Sequence, residues 1–157
     1  MDEARIPAWI KKLQQEHELA DARRDAARKQ AVEDSLLLQQ EGSKFWSQLQ
    51  QSLDIAVDSL PVLKLSGSIS HFSEGIRIEV VYYHLVPIRT YTDISYDPTS
   101  AIVRCSTMNG GICQLYLCVA EDNEIVAVSE IDGPSMNPER AAEIIMRPMV
   151  DAVFIQK

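Results

Sequence analysis

Between Ala8 and Glu41 the chain contains neither glycine nor proline, and from Leu63 onward it breaks into short alternating runs separated by turn residues. A stretch of about 34 residues without a breaker predicts one helix of roughly 50 Å at about 1.5 Å per residue. The remainder has the period-two pattern of strands. The helical stretch is polar over most of its length, so a domain of about 100 residues has too little apolar surface to hold all of it. Part of it is therefore expected to project into solvent or pair with another chain. The expected organisation is residues 1–41 as a projecting polar helix, for oligomerisation or partner contact, and residues 42–157 as an α+β domain.

Pro7 stands at the expected helix start, with Asp2 and Glu3 just upstream at the positive end of the dipole. Ile6, Trp9, Ile10 and Leu13 then share one face. The positions that continue this seam are His17, Ala20, Arg24, Ala27 and Ala31, which are small or polar. Alanine propensity and charge pairs at helical spacing (Lys12–Glu16, Asp25–Lys29, Lys29–Glu33) support this middle part, each pair by about 0.2–0.5 kcal/mol. From Leu36 the apolar face strengthens through Leu38, Phe45, Leu49, Leu53 and Ala56, with Trp46 and Val57 beside it. Gly42-Ser43 interrupts it, which predicts either a bend at Gly42 or two helices meeting there, Ser43 capping the second. Pro61 ends the region.

The following residues predict an antiparallel sheet of five or six strands. Val62–Ser70 is the first, with Gly67 as a bulge or weak point. Ser73-Glu74-Gly75 turns the chain into Ile76–Val86, with Ile76, Ile78, Val80, Tyr82, His84 and Val86 on one face and Arg77, Glu79, Val81, Tyr83 and Leu85 on the other. Arg89–Tyr96 is polar and reads as an edge. Asp97-Pro98-Thr99 leads to Ala101–Thr107, and Asn109-Gly110-Gly111, whose central positions tolerate φ > 0, predicts a hairpin to Ile112–Val119. Glu121-Asp122-Asn123 turns into Glu124–Ile131, closed by Asp132-Gly133-Pro134. Short connections make sequential neighbours pair, as in a meander. Asn137 as cap, Pro138 and Glu139 start a C-terminal helix whose buried face is Ala141, Ile144, Ile145, Met149 and Val153. Pro148 inside it predicts a kink or a restart. This helix and residues 43–59 are expected on one face of the sheet. The layout resembles helix-grip and chaperone-like modules, which wrap a twisted sheet around helices; such likeness of layout carries no function.

The chain is 46% hydrophobic and 24% charged, enough for a core without metal or disulfide staples. Its net charge of −8 works against nucleic acid and anionic membrane, both of which need a Lys/Arg surplus. No apolar run approaches the roughly 18 residues of a membrane span. The first nine residues carry two acids and no apolar run, unlike a secretory leader, and the expected location is cytoplasmic. Cys105, Cys113 and Cys118 read as buried reduced thiols, too loosely spaced for a zinc site. No cofactor is expected.

The histidines His17, His71 and His84 are scattered, and none has a nucleophile or acid placed with it in sequence. Ser66, Ser68 and Ser70 alternate along a strand without a nucleophile elbow. No catalytic or metal-binding set emerges. Arg77, Glu79, Tyr83, Arg104 and Tyr116 would line a polar concave surface for a small ligand if the sheet is curved and half covered; a solvent face carrying cross-strand ion pairs is the preferred explanation. Ile6, Trp9, Ile10 and Leu13 form an apolar patch on a polar helix, which marks a contact. The leading reading is a non-enzymatic interaction or adaptor protein that self-associates, or binds a protein partner, through its N-terminal helix. The alternative is a small-ligand-binding domain using the sheet face, and an enzyme assembled around His84, Glu79 and Tyr83 is a third.

Overall fold

A computed structural model describes residues 5–130 and 133–155. Asp2 and Glu3 of the expected helix start, and Ile131 and Asp132 of the expected last strand and closing turn, lie outside the described residues. The class is α+β: a long N-terminal helix, a six-stranded antiparallel open sheet and a C-terminal helix.

Helix α1 runs unbroken from Ala8 to Ser59. Its start is marked by the Pro7 carbonyl, which accepts from the amides of Ile10 at 3.0 Å and Lys11 at 3.2 Å. The chain divides into two compact units inside this helix, Met1–Leu36 and Leu37–Lys157. In the first unit no residue of α1 is buried; Ala20 and Asp34 are half-buried and the others exposed. The side-chain contacts along it differ from those expected. Asp21 pairs with Arg24 at 3.7 Å, Gln14 donates to Glu18 and Gln30 to Asp34, whereas Lys12–Glu16, Asp25–Lys29 and Lys29–Glu33 do not meet.

In the second unit α1 turns amphipathic and buries Gly42, Phe45, Leu49, Leu53 and Val57. The helix is not broken into two at Gly42, and Ser43 caps nothing. Gly42 has a packing reason instead: a Cβ there would run into the Tyr96 hydroxyl. Tyr96 also stacks on Trp46, ring centroids 5.9 Å apart. A short 3-10 turn, Leu60–Leu63, follows α1 with Pro61 in its first turn, where a missing N–H costs nothing. It occupies residues expected to begin the first strand.

The six strands are β1 (Ser66–Phe72), β2 (Gly75–Tyr82), β3 (Ile88–Asp97), β4 (Ile102–Thr107), β5 (Ile112–Val119) and β6 (Ile125–Val128). Their spatial order is their chain order, a pure meander. Gly67 sits in regular register opposite Val80, not at a bulge; it leaves room for the Leu60 side chain. The β4–β5 hairpin uses Gly110 at φ +81°, with the Thr107 amide donating to the Gly111 carbonyl at 2.9 Å. Asn123 at φ 62° turns β5 into β6, as a short amide side chain allows.

Two expectations about the sheet fail. Arg89–Tyr96 is interior, not an edge: β3 pairs with β2 on one side and β4 on the other. It reads as polar because Thr90 and Thr92 point into the core while Tyr91, Asp93 and Ser95 face out. The β2 alternation also stops at Tyr82, so Tyr83, His84, Leu85 and Val86 form an exposed connection and occupy neither face.

Helix α2 spans Pro138–Ile155. Asn137 Oδ1 accepts from the Arg140 amide at 2.8 Å, the expected cap. The helix continues through Pro148 without restarting. It buries Ala141, Ala142, Ile145, Met146, Met149 and Val153, with Ile144 half-buried. These side chains and the buried ones of α1 form one core with Ile76, Ile78, Val80, Ile94, Val103, Leu115 and Leu117 of the sheet. That defines an inner face against the helices and an outer face in solvent.

Candidate functional site

Four arrangements outside the core bear on function. The first is the apolar stripe of the N-terminal unit. Ile6 is half-buried and precedes α1, while Trp9, Ile10 and Leu13 lie on its first turns at 65%, 40% and 45% exposure. Trp9, Ile10 and Leu13 share one face of the helix, whereas Ile6, ahead of Pro7, is not on it. Lys12 borders that face. Three further apolar side chains, Leu19, Val32 and Leu36, are also exposed along the same unit.

The second is the outer sheet face. Cross-strand register brings Arg77 opposite Asp93, Glu79 opposite Tyr91 and Arg104 opposite Gln114. Arg77 donates two hydrogen bonds to Asp93, at 2.6 and 2.8 Å, and lies 4.1 Å over the Tyr91 ring. The guanidinium holds the Asp93 carboxyl below the usual carboxylate range, chiefly through those hydrogen bonds. Glu79 pairs with Arg89 at 3.5 Å and Arg104 with Asp97 at 3.4 Å. Tyr116 donates to Gln114 at 3.0 Å. Of the five residues expected to line a ligand surface, four lie on this face. Tyr83, 65% exposed on the β2–β3 connection, does not. The acids that neutralise the arginines, Asp93 and Asp97, were not anticipated. Register supplies them, and only the pairing of β3 with its neighbours reveals it. A shallow groove of about 390 Å³ runs past Phe72, Asp93, Arg104 and Ile112.

The third is the thiol pair Cys105 and Cys113, directly opposed between β4 and β5. Cys105 is buried; Cys113 and Cys118 are half-buried, so the expectation of three buried thiols holds for one. The hydrogen bond between the pair lowers Cys113 to about 7, while that bond and burial push Cys105 up. Cys118 is raised by burial. His84, the histidine singled out as a base, is exposed and stacks on Tyr82 at 6.0 Å. Among the described residues no group of three or more His, Cys, Asp and Glu is placed to hold a metal ion.

The fourth arrangement was not read from the sequence. Between the C-terminal part of α1 and α2 lies an open groove of about 700 Å³, floored by Ala56, Leu60, Ala142, Met146 and Val150. Ile55 stands at its lip, 67% exposed. Glu139, Glu143, Arg147 and Asp151 line the α2 edge. The signal for it in α1 is Ile55, an apolar residue beside the Leu49, Leu53 and Ala56 face and left exposed.

Comparison of the chain with protein-family models, with curated proteins and with solved structures finds no match. None of the described helices is long and apolar enough to cross a membrane.

Proposed function

We propose that this protein is a non-catalytic interaction module that associates with a second copy of itself through the N-terminal part of α1. The observation that carries the reading is the absence of any buried residue in α1 before Leu37, combined with the exposure of Trp9, Ile10 and Leu13 on one face of it. Most helices in proteins are stabilised by burying an amphipathic face, not by propensity. Here the apolar face exists, and a partner helix or groove is what it fits. Alanines at 20, 27 and 31 leave room for close approach. The surface charge pairs add little, since an exposed ion pair contributes about 0–1 kcal/mol.

A small-ligand role on the outer sheet face has less support. Arg77, Arg104 and Glu79 are each engaged by a neighbour on the same face, which is the pattern of a solvent-facing sheet. Sedimentation velocity of the full chain and of Trp9→Ala tests the association reading. The full chain is expected to sediment as an oligomer and Trp9→Ala as a single chain with unchanged circular dichroism from the sheet domain. Equal sedimentation of the two would contradict a role for the stripe.

A further inference from the structure

We propose that the groove between the C-terminal part of α1 and α2 receives the Trp9–Leu13 stripe of a second copy of this chain. The inference rests on the association reading above and goes beyond it by naming the receiving surface. Shape comes first. The groove is long, open and apolar along its floor, about 700 Å³ in volume, with Ile55 left exposed at the lip. An amphipathic helix is the ligand such grooves take, and Trp9, Ile10 and Leu13 give the first turns of α1 an exposed apolar face.

Charge selects this occupant. Along the α2 edge stand Glu139, Glu143 and Asp151 against Arg140 and Arg147, so acids exceed cations. Arg140 is engaged with Glu143 at 2.6 Å, and Arg147 stretches between Glu143 at 3.5 Å and Asp151 at 3.9 Å. Glu139 has no ion pair among the described residues. The stripe carries the opposite sign: from Arg5 to Gln15 there are three cations, Arg5, Lys11 and Lys12, and no acid, Asp2 and Glu3 lying upstream. A helix laid along α2 sets Lys12 against the acid-rich edge, where Glu139 has no ion pair of its own among the described residues, while Trp9 and Leu13 enter the apolar floor. Each copy has one stripe and one groove, so every chain can act as both donor and receiver.

The test uses the full-length chain. Unlabelled and 15N-labelled protein are mixed in equal amounts and coupled with a zero-length carbodiimide. Linked peptides joining Lys11 or Lys12 to Glu139, Glu143 or Asp151 are expected as mixed-isotope pairs. Ile55→Glu, at a position too exposed to disturb the core, is expected to reduce the oligomer to the single-chain mass, as Trp9→Ala does. If Trp9→Ala dissociates the protein and Ile55→Glu leaves the oligomer intact, the groove is overturned and the association reading stands. If wild-type protein is a single chain, both are overturned. Links found only within one isotope also overturn the proposal.

Discussion

Gly42 lies in the interior of a continuous helix, where glycine costs about 1 kcal/mol relative to alanine. On propensity alone Gly42→Ala should stabilise the protein. The structure predicts the opposite sign, because the added methyl would meet the Tyr96 hydroxyl. That ring has little freedom to retreat, being half-buried and stacked on Trp46 at 5.9 Å and 25°. Overpacking of this kind costs about 1–3 kcal/mol. Set against the propensity gain, the net expectation is a loss of up to about 2 kcal/mol. Removing the hydroxyl reverses the balance. The next nearest atoms to the new methyl are Tyr96 Cζ at 3.5 Å and Leu117 Cδ1 at 3.9 Å, ordinary contacts. In a Tyr96→Phe background Gly42→Ala should therefore stabilise by about 1 kcal/mol. The cycle of four proteins, measured by urea unfolding, should show a coupling energy of about 1–3 kcal/mol. A Gly42→Ala variant more stable than wild type with Tyr96 intact would refute the reasoning, as would a coupling energy near zero.

Other expectations follow from the site chemistry. Thr92 is 1% exposed and its hydroxyl has no hydrogen-bond partner among the described residues, so Thr92→Val should raise stability by about 1 kcal/mol in the same assay; a loss would mean that the hydroxyl is satisfied. Cys113, lowered to about 7 by the thiol it faces, should alkylate with a rate midpoint near that pH, while buried Cys105 stays protected, as read by peptide mass spectrometry; equal rates would contradict the assignment. Asp93, held below its unfolded value by Arg77, contributes stability that is present above that unfolded value and is lost as pH falls through the lower folded one. Asp93→Asn should thus cost a little stability at neutral pH, and the cost should shrink as the pH falls below the unfolded value; a difference that grows on acidification has the wrong sign.

The elements that were legible in the sequence are those set by local chemistry. Asn109-Gly110-Gly111 located the β4–β5 hairpin, and Ile112–Val119 was bounded correctly, because Gly110 at positive φ turns the chain between Thr107 and Gly111. Asn137-Pro138 located the start of α2 for a similar reason. What misled was tertiary context. Gly42 and Gly67 looked like breaks, yet both are close approaches, to Tyr96 and Leu60, that no local signal announces. Thr90 and Thr92 made an interior strand look like an edge. Tyr83 and Leu85 continued the alternation of β2 past its end, and so a loop tyrosine entered the candidate ligand set. Asp93 and Asp97 were invisible as partners because a cross-strand pair is a matter of register. The α1–α2 groove needs α2 packed beside α1, of which the sequence shows only one side, the apolar Ile55 next to Ala56.

The central claim is that this chain assembles with itself through the N-terminal part of α1. Native mass spectrometry of the full-length protein tests it most directly. The account predicts a multiple of 17.6 kDa with no added mass, falling to 17.6 kDa when Trp9 and Leu13 are both changed to alanine. A wild-type protein that stays at 17.6 kDa, or a multiple that survives both substitutions, would contradict it.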